Sequence, residues 1–106
     1  MYEVTKHDWK LFREKLPDWQ EAYMERLCSE YVMLLTSDVK ASDKFWTLDK
    51  RIKEDRRKPG VILSPRKSEM MIDLLRMICD KVITVDDLAD FSDGLRESIE
   101  FMLRNR

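Results

Sequence analysis

The residues of this chain that could do chemistry are few, and their spacing does not assemble a site. His7 is the only histidine and lies close to an end of the chain that is expected to fray. Asp86 and Asp87 are adjacent carboxylates, but they fall in the first turn of a predicted helix, where the helix dipole already favours acids. No phosphate-cradling glycine loop, no His-Glu-x-x-His and no Gly-x-Ser-x-Gly occurs. Metal, nucleotide and acyl-transfer chemistry lack their parts. No catalytic, cofactor-binding or metal-ligating residue is assigned, no cofactor is expected, and the chain is read as a non-enzyme. Cys28 and Cys79 are far apart in sequence and sit in apolar, helical-looking stretches, which predicts reduced, buried thiols.

What remains is charge. The stretch RIKEDRRKPGV, residues 51–61, packs five basic side chains into eight positions and stops at a Pro-Gly pair. From Lys50 to Lys67, eight basic residues (Lys50, Arg51, Lys53, Arg56, Arg57, Lys58, Arg66, Lys67) stand against two acids, Glu54 and Asp55. Both flanks are acidic: residues 1–49 carry seven bases against ten acids, and residues 68–106 carry five against nine. Charge segregated in this way can bind something of opposite sign. Nucleic-acid phosphate, an acidic protein surface, and the acidic tail of this chain or of a twin subunit all fit. A pI near 5.9 ranks nucleic acid second, because such modules usually carry a basic excess overall. The cluster is also what the solvated last turn of a helix looks like, since cations are favoured there by the dipole.

Adjacent Phe45 and Trp46 leave a helix about 100° apart. With Phe45 inside, Trp46 lies on the flank beside the basic face, either as a partner anchor or covered by a neighbouring helix. The stretch LADFSDGLRESIEFML resembles a helix-turn-helix in its apolar spacing. On its second helix, however, Asp93, Glu97 and Glu100 outnumber Arg96 and Arg104, which suits core packing better than a DNA groove.

The elements that must position these residues are helical. Two glycines and three prolines in 106 residues favour long helices over many-turned strands. Thr5 can cap a first helix bearing Trp9, Phe12 and Leu16, and Pro17 interrupts its pattern. Trp19, Tyr23, Leu27, Tyr31 and Leu34 define a second helix to about Thr36. Ser42 is placed as the cap of a third, with an inward stripe of Phe45, Leu48 and Ile52. Ser64-Pro65 opens a fourth, buried through Met70, Met71, Leu74, Leu75 and Ile78. Thr84 with Asp87 forms a capping box for a short helix near 85–90, and Ser92 caps a last one over about 93–104. The result is an all-α single domain over residues 1–106, a compact bundle-like fold of five or six helices with a short extended crossover near Val61–Leu63.

The segments LPDWQEAYMERL, ASDKFWTLDKRIKEDRRKPGV and ITVDDLADFSDGLRES together resemble a group of short, uncharacterised bacterial proteins, many of them labelled as multidrug transporters. The similarity covers most of the chain and brings no catalytic residues with it. The transporter label conflicts with the sequence, because no window approaches the ~20 apolar residues of a membrane span. No signal peptide is recognisable at the start, so a cytoplasmic location and no membrane partner are expected. The sequence thus predicts a small protein-interaction module, with self-association among its options. Its contacts are expected from Trp46, Lys50, Lys53, Arg56, Arg57, Lys58, Arg66 and Lys67, together with the KPGVIL turn. An accessory nucleic-acid binder using Lys50–Lys67 is the alternative.

Overall fold

A computed structural model describes residues 2–106. It is all-helical, with four α-helices: α1 (Lys6–Leu35), α2 (Ala41–Asp55), α3 (Met70–Cys79) and α4 (Asp93–Arg104). Single 3-10 turns at Lys67–Glu69 and Val85–Leu88 lead towards α3 and α4. The count is four, not five or six, because two of the expected helices fuse and another shrinks to a 3-10 turn.

The fusion occurs at Pro17. α1 runs through it as one helix of 30 residues. Proline removes one intrahelical hydrogen bond, at a cost of ~3 kcal/mol in a helix interior. Here Phe12 and Leu16 before it, and Tyr23 and Leu27 after it, are buried in one core. Packing on both sides therefore overrides the break. Thr5 caps the start as expected, its hydroxyl accepting from Asp8 N at 3.1 Å.

The core lies at one end of the molecule. Phe12, Leu16, Tyr23 and Leu27 of α1 meet Met70, Leu74 and Met77 of α3 and Leu95 and Ile99 of α4, with Val82, Ile83, Leu88 and Phe91 from the connections. Trp9 and Trp19 are half-buried at its edge; Trp19 stacks on Phe91 with centroids 6.2 Å apart. α3 begins only at Met70, so Ser64-Pro65 starts no helix. Val61, Ile62 and Leu63 form a turn and irregular chain, not a strand; Val61 and Leu63 pack against the core as they cross. α3 ends with Lys81 at φ 61°, and Val82 N donates to Met77 O at 2.8 Å, closing its last turn. The Thr84–Asp87 capping box forms, and α4 occupies the predicted residues.

A helix of 30 residues is ~45 Å long, more than this core can cover. The second half of α1 therefore carries α2 as an antiparallel partner, and the molecule measures 52 × 28 × 21 Å. We call this two-helix projection the arm.

Candidate interaction surface

The arm is held together by polar contacts. The Tyr31 hydroxyl donates to Asp55 Oδ2 at 2.5 Å, and Arg51 bonds Glu30 Oε1 at 3.0 Å while lying 5.4 Å over the Tyr31 ring. Asp55 is the single buried residue of α2, with Lys58 Nζ 3.7 Å from its other oxygen. Burial pushes the Tyr31 phenol up to about 12, helped by the bond to Asp55 and its negative charge.

Because these anchors hold α2 in place, its apolar stripe does not turn inward. Phe45 is 63% exposed and Ile52 43%, which corrects the expected buried stripe of Phe45, Leu48 and Ile52; Leu48 alone is half-buried. The helix also starts at Ala41, one residue before the expected cap at Ser42. Trp46 is 65% exposed and makes an edge-on contact with Phe45, centroids 4.9 Å apart.

On α1 the matching side is bare as well, with Met24, Val32 and Leu35 exposed. Met24, Cys28 and Tyr31 of α1 and Ile52 and Arg56 of α2 line one open crevice of ≈ 220 Å³. Both cysteines are free and exposed, correcting the expected buried thiols. Cys28 lines the open crevice between α1 and α2, and Cys79 is exposed at the end of α3, its Sγ accepting from Arg106 Nη1 at 2.8 Å.

The basic segment does not act as one block. Lys53 pairs with Asp49 at 2.9 Å, Arg51 and Lys58 are committed to Asp55, and Arg66 pairs with Glu69 at 3.8 Å. Lys50, Arg56 and Arg57 are exposed on α2 and the turn after it, with no ion pair among the described residues. Lys67 lies elsewhere, lining an open groove of ≈ 1130 Å³ between the start of the chain, α3 and α4. Trp46, Lys50, Lys53, Arg56 and Arg57 are thus brought together on the arm, while Arg66 and Lys67 are not. In the KPGVIL turn, Pro59 and Gly60 are buried against α1, with Gln20 Nε2 donating to Pro59 O at 2.9 Å; Ile62 stays exposed.

Sequence reasoning missed the α1 side of this surface. A signal was present: Met24, Cys28, Tyr31 and Leu35 recur with spacings of four, three and four, as do Ala41, Phe45, Leu48 and Ile52. Among the described residues, no group of acids, cysteines and histidine could hold a metal ion, and no helix is long and apolar enough to cross a membrane. No family model, curated protein or solved structure matches the chain.

Proposed function

We propose that this protein acts by binding another protein through the apolar side of the arm, in the cytoplasm and without chemistry of its own. The observation that carries the reading is the exposed Phe45–Trp46 pair on α2, on the same two-helix arm as the crevice lined by Met24 and Ile52. Scattered exposed apolar residues need no explanation, but a continuous set rimmed by charge is the usual mark of a protein-binding site. Exposed aromatic side chains near the start of α2 and exposed arginines at its end, Arg56 and Arg57, are of the residue types enriched among interface anchors.

A photoreactive amino acid placed at position 46 in cells making the protein tests this. One discrete cross-linked protein is expected, absent when the probe is moved to position 86, outside the arm. No protein adduct from position 46 would count against the reading.

Nucleic acid is the second reading, favoured by the exposed and unpaired Lys50, Arg56 and Arg57. It ranks lower because three further bases of the segment on α2 and its turn are engaged by Asp49, Asp55 or Glu30. The two readings differ in their response to salt. Phosphate binding falls by orders of magnitude between about 50 and 200 mM salt, whereas an aromatic-centred protein contact changes little.

A further inference from the structure

We infer that the occupant of the arm's apolar side is a second copy of this chain, two arms closing into a four-helix bundle; this rests on the protein-binding reading above. The two apolar stripes, Met24-Cys28-Tyr31-Leu35 and Ala41-Phe45-Leu48-Ile52, have the same four-three-four spacing. In an antiparallel hairpin both fall on one side, and Met24, Cys28 and Ile52 accordingly line a single crevice. Two antiparallel helices with such stripes on a common side are half of a four-helix bundle. The missing half must bring two antiparallel helices of equal length and spacing. α3 and α4 are not available, since Met70, Leu74, Met77, Leu95 and Ile99 are already in the core. A second copy supplies both helices.

Charge selects the arrangement. Beside the α1 stripe stand Glu21 and Glu25, exposed and without an ion pair among the described residues. Beside the α2 stripe stands Arg56, followed by Arg57, equally exposed and unpaired. Arg56 shares its crevice with Met24 and Cys28, so these charges lie at one level along the arm. A two-fold axis running along the arm lays α1 of each copy against α2 of the other. The acids of one copy then face the arginines of its twin on both sides of the seam, a self-complementary contact. Pairing like helices leaves both sets of charge unmatched.

The core does not obstruct this approach. Lys15, Trp19 and Arg26, which reach Asp90, Phe91 and Lys81 respectively, lie on the opposite flank of α1 from Met24 and Cys28.

Sedimentation velocity on the full chain is expected to show a concentration-dependent species of twice the 12.8 kDa monomer mass. The double variants E21K/E25K and R56E/R57E should each associate at least about tenfold more weakly than wild type, and their equimolar mixture should regain association as a heterodimer. These residues are exposed, so the helical circular dichroism spectrum should be unchanged in both. A wild type that stays monomeric, or a mixture no tighter than either variant alone, would overturn the proposal. If the probe at position 46 then captures a different protein, the wider binding reading survives without it; if it captures none, both fall.

Discussion

Ser92 grips one carboxylate with two donors: its N–H reaches Asp8 Oδ1 at 3.0 Å and its hydroxyl reaches Asp8 Oδ2 at 2.5 Å. The Tyr2 hydroxyl donates to the same Oδ2. Ser92 also caps α4, accepting from Leu95 N at 3.3 Å, so a fully buried Asp8 ties the start of α1 to the start of α4. This contact closes the core across 84 residues of sequence.

Burial alone would push the Asp8 carboxyl up, but the bonds from Ser92 and Tyr2, with a smaller one involving Thr5, outweigh it and hold the group below its usual 3.8. Its contribution to stability is therefore present above about 3.8 and is lost as pH falls through the lower folded value. Asp8→Asn should lower stability by about 2 kcal/mol at neutral pH, from lost charge-assisted bonds. The gap to wild type in urea unfolding should shrink steadily below pH ~4.

Tyr31 behaves in the opposite sense. Its phenol is raised to about 12 from an ordinary 10.0, so the stability it brings is complete below pH ~10 and disappears as pH rises towards 12. Tyr31→Phe should cost about 1–3 kcal/mol at pH 7, because buried Asp55 loses its closest donor. Thermal unfolding of the two proteins should converge between those pH values.

Asp73 should give a gain on substitution. It is 3% exposed, and its Oδ2 has no hydrogen-bond partner. Burial raises its carboxyl, opposed by Arg76 at 3.7 Å and reinforced by Glu69. The ionised form is penalised in the fold, fully so above the raised folded value and not at all below 3.8. Asp73→Asn should raise stability by about 1 kcal/mol at neutral pH and lose that advantage in acid, as read from urea midpoints.

Gly60 is required for close approach. A Cβ built there would lie 2.3 Å from Cδ2 and 2.7 Å from Cγ of the buried Tyr23 ring. Gly60→Ala should cost about 1–3 kcal/mol in chemical denaturation, since that ring is locked in the core.

Which parts of this architecture were legible depends on the range of the interactions that decide them. Thr5, Ser92 and the Thr84–Asp87 box are settled within one turn of chain, and the sequence places all three. Pro17 and Ser64-Pro65 are decided by distant packing. α1 continues because Phe12 and Tyr23 share one core, and α3 is delayed while Val61 and Leu63 cross over that core. Periodicity located the apolar stripe of α2 but could not say which face a neighbour covers. Arg51 and Asp55 anchor α2 through polar groups, so Phe45 and Ile52 remain outside. The same reason explains Cys28: its position on a helix was readable, its exposure was not.

Cys28 itself offers the most direct test of the two-copy account. It lines the crevice between α1 and α2, whereas Cys79 is exposed at the end of α3, outside the arm. Labelling the native protein with a thiol reagent across a concentration series, and reading each cysteine separately by mass spectrometry, separates the two positions. Both thiols should react readily in dilute protein. As concentration rises, Cys28 should become protected while Cys79 keeps its rate, and R56E/R57E should abolish that protection. Equal labelling of both thiols at every concentration would contradict the arm as the place where two copies meet.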